Sequence, residues 1–180
     1  TKPGVYTVEE FNPDPFLDAL DKYGLICPAT HTSFTEYEEN LDALIARHQK
    51  WGCAHPGVGA MPFHFAESEE GYREFARRAN AVGKKLKDAG MNLIYHNHAF
   101  EFKKYNGRRI IDMLVEDTDP ELFGFIMDTY WVQYGGGNPA DFIRRLSGRM
   151  KVCHFKDYKI DSENKPDFAE IGTGNLDLDE

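Results

Sequence analysis

Met91-Asn92-Leu93-Ile94-Tyr95-His96-Asn97-His98-Ala99-Phe100-Glu101-Phe102 governs the reading of the whole chain. Its opening residues, 91–94, read as a buried strand. Side chains alternate along a strand, so His96 and His98 are expected to point the same way. Two imidazoles and the Glu101 carboxylate then emerge where an apolar strand runs out, which is how a site forms at the open end of a parallel sheet. Two further expected strands end alike: residues 122–127 run into Asp128, and residues 150–153 run into His154. Three consecutive strands thus deliver His, Asp and His to one rim. That set suits a divalent metal better than nucleophilic catalysis.

Outward from this core, strand and helix alternate. Residues 4–7 read as the end of a strand, and 13–23 as a helix with Phe16, Leu17 and Leu20 on one side. Residues 25–30 read as a strand ending at His31. Thr35-Glu36-Tyr37-Glu38 has the pattern of a capping box, opening a helix with Tyr37, Leu41, Leu44, Ile45 and His48 at helical spacing. Residues 52–57 form a short strand entering a loop. The helix after Ser68 carries Phe75, Ala79, Val82 and Leu86 on one face and stops at Gly90. A helix around 110–115 follows, then a further one opened by Asn138-Pro139-Ala140-Asp141, with an Asn cap and Pro at the first position. The tail reads as polar loop up to residues 171–175.

Composition narrows the function. The 180 residues are 41% hydrophobic and 28% charged, as expected for one globular domain spanning 1–180. A formal charge of −9 opposes a nucleic-acid or anionic-membrane partner. No apolar run is long enough to span a bilayer, and no signal-peptide pattern opens the chain. Cys27, Cys53 and Cys153 each fall in an expected strand, which favours buried free thiols in a reducing cytoplasm. A homodimer is the default assembly.

Strict alternation with short links implies a parallel sheet under helices. Gly135-Gly136-Gly137 lacks the spacing of a dinucleotide fingerprint and has no P-loop lysine. The fold class is therefore α/β, a (β/α)8 TIM barrel, whose working residues sit at strand C-termini. Such barrels run to about 250 residues. The five full strands and one partial strand legible here make the barrel incomplete at both ends. Its two free sheet edges predict marginal stability for the isolated chain.

The segments Tyr95-His96-Asn97-His98-Ala99-Phe100-Glu101-Phe102, Asp128-Thr129-Tyr130-Trp131-Val132, Gly148-Arg149, His154-Phe155-Lys156-Asp157 and Ile171-Gly172-Thr173-Gly174-Asn175-Leu176 occur in this order. Together they resemble the sugar phosphate isomerase/epimerase group of the xylose-isomerase-like TIM barrels. That superfamily also holds endonuclease IV, inosose dehydratases and ketose 3-epimerases. Many members bind a divalent metal through Glu, Asp, His and Glu at successive strand ends. By position Asp128 matches the Asp and His154 the His, while His96 stands where many members have the first Glu. The last Glu of the pattern would lie beyond Glu180.

The resemblance implies a sugar isomerase or epimerase that removes a proton next to a carbonyl with the help of one divalent ion (Mn, Mg, Zn or Co). The expected metal ligands are His96, Asp128 and His154. His98 or Glu101 is the acid/base group, with the roles of His96 and His98 open to exchange. Lys156 either holds a substrate oxygen or forms a surface ion pair with Asp157. His31 and Trp131 are expected to line the pocket, Trp131 against a sugar face. His48 is expected to be structural. The alternatives are a lyase or dehydratase on oxidised sugars or inosose-like polyols, and a sugar-binding barrel without catalysis. An endonuclease IV-like phosphodiesterase is disfavoured by the acidic charge.

Overall fold

The computed structural model describes residues 14–178. The expected strand at 4–7 lies outside them. In chain order, the described elements begin with α1 (Asp14–Lys22), β1 (Thr30–Thr32), α2 (Phe34–Glu39), α3 (Leu41–Lys50) and β2 (Pro56–Val58). Then come α4 (Glu69–Asp88), β3 (Leu93–His96), a short hairpin of β4 (Lys104–Tyr105) and β5 (Arg108–Arg109), and α5 (Ile110–Asp117). The series closes with β6 (Phe123–Asp128), α6 (Thr129–Tyr134), α7 (Pro139–Arg145), β7 (Met150–His154), β8 (Asp157–Ile160) and β9 (Pro166–Ala169).

Five strands form one parallel sheet in the order β1-β2-β3-β6-β7. Parallel neighbours need crossovers, and α2 with α3, α4, α5, and α6 with α7 supply the four of them against one core. Leu93, Tyr95, Phe123, Phe125 and Met127 pack there with Phe75, Ala79, Val82 and Leu86 of α4 in one buried core. Ile94 and Ile126 face the opposite way, toward Gly57. On this inner face the alternation carries His96, Asp128 and His154 to the C-terminal rim. Among the described residues, β1 and β7 each pair along one side only.

A bulge places His154. Phe125 is opposite Met150, but Ile126 is opposite Val152, so Lys151 is the extra residue. Met150 packs with the outer core, and the bulge turns Val152 and His154 to the inner face, with His154 opposite Asp128. A slip of one residue changes the face of everything after it.

Several local expectations are corrected. The strand read over 25–30 is only β1, because lateral pairing begins where Thr30 meets Pro56; Leu25 and Ile26 are exposed. The strand read at 52–57 is displaced to Pro56–Val58 for the same reason. The cap of α2 is Ser33, whose Oγ accepts from the Glu36 amide, and Thr35 lies within the helix. α1 buries none of its side chains, Phe16 included. Only Cys53 among the thiols is buried: Cys27 is half-buried, and Cys153 lies exposed on the edge strand β7. The tail is not simple loop, since β8 and β9 pair as an antiparallel hairpin. Beyond it, the Asp157 carboxylate accepts from the amides of Tyr158, Gly172, Gly174 and Leu176. A Cβ at Gly174 would stand 2.4 Å from Asp157 Oδ1. As expected, His48 is structural: it is buried between Thr30 Oγ1 at 2.6 Å and the Leu44 carbonyl at 2.8 Å.

No helix among the described residues is long and apolar enough to cross a membrane. The α4 helix touches the chain before β6 closely enough to test: a Cβ at Gly83 would meet Leu122 O at 2.3 Å. Alanine favours a helix interior over glycine by about 1 kcal/mol. Backbone cannot yield cheaply, so overpacking of about 1–3 kcal/mol wins. Gly83→Ala is expected to lower the urea midpoint, although propensity alone predicts a rise.

Candidate active site

Asp128 is the centre of the rim. It is fully buried at the end of β6 and caps α6, with Oδ1 accepting from the Trp131 amide at 3.2 Å. Its second oxygen faces the cations and imidazoles. Lys156 Nζ stands 2.6 Å from Oδ2, His96 Nε2 3.1 Å and His154 Nδ1 3.6 Å. Burial raises the Asp128 carboxyl, but the hydrogen bonds from His96, Lys156 and the Trp131 amide outweigh it and hold the group below its ordinary value.

Four imidazoles gather here. The His96 ring lies 4.8 Å from His31, 4.6 Å from His98 and 4.7 Å from His154. His31, in the middle of β1, also packs 5.1 Å from His154. His98 is not on the strand, contrary to the alternation argument, because β3 ends at His96. A turn folds its ring edge-on over His96 and within 5.5 Å of Trp131. Lys156 likewise lies past the end of β7. It pairs with Asp128 and not with Asp157, whose carboxylate is committed to backbone amides. Glu101 lies beneath the rim, fully buried, bonded to Tyr95 and to the His98 amide.

Three supporting residues escaped the sequence reading although all sit inside the quoted motifs. Asn97 Oδ1 accepts from the Asp128 amide at 2.9 Å. Thr129 Oγ1 accepts from the Lys156 amide at 2.8 Å and donates to the Lys156 carbonyl. Tyr95 reaches Glu101 from below. Their signal was adjacency to a ligand-type residue, which does not distinguish support from chemistry.

The donor set fits a metal ion. The ligand atoms of His96, Asp128 and His154 lie within 4.8 Å of one another. His96 Nδ1 lies 3.3 Å from the Gly59 carbonyl and Nε2 lies 3.1 Å from Asp128 Oδ2, so a proton held on Nδ1 by Gly59 would turn the Nε2 lone pair toward an ion beside Asp128. His154 Nδ1 is buried without a hydrogen-bond partner. Both nitrogens are therefore presented as ligands are.

Burial, with repulsion from neighbouring imidazoles, pushes His31 and His98 down to about 4 and lowers His154; burial also lowers His48. These rings are neutral near pH 7. On unfolding they return to about 6.5, so below that pH the unfolded chain binds more protons and stability falls toward pH 4. Glu101, raised by burial to about 8, acts oppositely: its folded form keeps a proton that the unfolded form loses above about 4.5. Several imidazoles outweigh one carboxyl in the acid window, while the carboxyl alone acts from 6.5 to 8. Urea midpoints are expected to peak near pH ~6.5 and to fall more steeply on the acid side.

Comparison with known proteins places the fold. The chain is 32% identical over 94 residues to an inosose dehydratase of Clostridium tetani, covering 52% of this chain and 31% of that protein. It is 30% identical over 144 residues to an inosose dehydratase of Clostridium botulinum, covering 76% and 47%. The chain thus spans less than half the length of these curated relatives. Two solved structures share the fold. A sugar phosphate isomerase/epimerase of Parabacteroides distasonis superposes with a TM-score of 0.72 at 22% identity, over 89% of this chain and 68% of that one. A Bacillus anthracis protein put forward as the 3-DHS dehydratase of petrobactin synthesis gives 0.70 at 13% identity, over 92% and 68%. The parallel sheet and a family model matching residues 4–180 agree, and the chain belongs to the xylose isomerase-like TIM barrel family.

Proposed function

We propose that this site removes a proton from the carbon next to a carbonyl in a polyhydroxylated substrate, a sugar or an inosose-like polyol. The observation that carries the reading is the convergence of His98 and Lys156 beside the buried carboxylate of Asp128. His98 is the base: its ring is neutral near pH 7, and its buried Nδ1 has no partner among the described residues. Lys156 is the proton donor on the other side of the rim, kept in place by Asp128 and by Thr129 on its backbone. Trp131 and His31 are walls, Trp131 offering its face to sugar C–H groups. Glu101 is kept out of the proton-transfer set, because both its oxygens are engaged below the rim.

His96, Asp128 and His154 would hold a divalent ion, which would supply Lewis-acid stabilisation of charge developing on the carbonyl oxygen. Two outcomes follow from the same proton removal. If a neighbouring hydroxyl leaves with a proton from Lys156, the product is dehydrated. If the proton is returned to another position or face, the product is an isomer or epimer. Dehydration ranks first, because sequence likeness to inosose dehydratases reaches 76% of the chain. Isomerisation or epimerisation is the second reading, with the same groups in the same roles.

The test is exchange in heavy water. The chain, supplied in turn with Mn, Mg, Zn or Co, is incubated with inososes and ketoses and followed by NMR. Deuterium at the carbon beside the carbonyl supports the reading, and an enone or a new isomer identifies the outcome. Sugar binding without exchange under any ion sinks it and leaves a binding barrel.

A further inference from the structure

One layer below the rim lies an acid without a cation. Glu101 sits in the turn Phe100–Phe102 and is fully buried. Its Oε1 accepts from the Tyr95 hydroxyl at 2.5 Å, and its Oε2 accepts from the His98 amide at 2.8 Å. Tyr95 is buried as well, and its oxygen accepts from the Met61 amide at 3.0 Å. No ion pair among the described residues includes Glu101; the groups facing it are a phenol and a backbone amide. Burying a carboxyl group this way is costly even as the neutral acid, and an apolar side chain would avoid that cost only by leaving the Tyr95 hydroxyl and the His98 amide without this partner.

What the carboxyl group does that an apolar group does not is hold two partners at once. One belongs to the residue that carries the base. His98 has left the β3 ladder and lies before the next turn, so neither ladder nor helix holds its amide. The other partner roots the carboxyl group in the core between the sheet and α4, because Tyr95 is a strand residue packed among Phe75 and Phe123. Met61 then ties the loop after β2 to the same oxygen.

We infer that Tyr95 and Glu101 are a positioning pair for His98, fixing its ring over the rim through the His98 backbone. The kinetic part of this inference rests on the proton-removal reading above; the positional part does not. Glu101 therefore acts through His98, without touching substrate.

The experiment compares Glu101→Gln and Tyr95→Phe in the full chain with the parent, by NMR of the histidine rings and by kinetics. In both variants the His98 ring resonances should shift and broaden while those of His154 stay in place. A loss of kcat of about 10- to 100-fold with KM nearly unchanged is expected for a misplaced base. Adding Glu101→Gln to His98→Ala should cost nothing further, since the pair has no other route to the reaction. Unmoved His98 resonances in both variants overturn the inference, as does a loss that adds to that of His98→Ala. If Glu101→Gln does not fold, Tyr95→Phe keeps the carboxylate and carries both readouts. If the parent turns over no substrate, the proton-removal reading fails, and the ring resonances still decide the positioning role.

Discussion

Asp128→Ala is expected to leave a chain that retains no divalent ion under conditions where the parent holds about one per molecule. The reason lies in the division of labour between its oxygens. Oδ1 is spent on the Trp131 amide, and Oδ2 alone faces His96, His154 and Lys156. Losing a ligand costs at least the about 10- to 100-fold that losing a supporting hydrogen bond costs. The same substitution removes the cap of α6 and the anion that faces Lys156. Because Lys156 is partly exposed and can turn to water, a stability loss of about 1–3 kcal/mol is expected, below that of a fully buried pair. Elemental analysis and urea unfolding check the two effects separately. An Asp128→Ala chain with undiminished metal would place the ion elsewhere and remove His96 and His154 from the ligand set.

His98→Ala is expected to lower kcat by about 100- to 10,000-fold, the range for loss of a general base, with metal content unchanged. Its ring stands edge-on to His96 without bonding Asp128, so it can be removed while the ligand atoms stay in place. The diagnostic is the combination: exchange of the proton beside the carbonyl disappears while the ion stays. Retained exchange would move the base to Lys156. Loss of the ion together with exchange would make His98 a ligand and reverse the roles of the two histidines.

The strands that build the site were legible because each is a short, mostly apolar run closed by a polar residue: residues 122–127 before Asp128 and 150–153, broken by Lys151, before His154. Leu25 and Ile26 show the limit of that signal, since hydrophobicity marks a strand only where a neighbour pairs with it, and pairing starts at Thr30. The convergence of His96, Asp128 and His154 was legible as a list of strand ends, although one of its causes was not. The Lys151 bulge that turns His154 inward leaves no mark in composition or periodicity. His98 and Glu101 were assigned to one role because both follow the same strand. Only the fold shows that one stands on the rim and the other lies under it, since a turn of five residues sets their depth through side-chain to backbone bonds.

The ring of amides around Asp157 has a consequence for substrate choice. A Gly-Thr-Gly segment with several N–H groups turned to one point has the form of an anion receptor, the kind that grips a phosphoryl group. Here the receptor is filled by the protein's own carboxylate: Gly172, Gly174 and Leu176 already donate to Asp157. These donors cannot serve a sugar phosphate while that carboxylate stays in place. A phosphorylated substrate would have to find its countercharge at another part of the rim, and a neutral polyol would lose nothing by the loop's being closed.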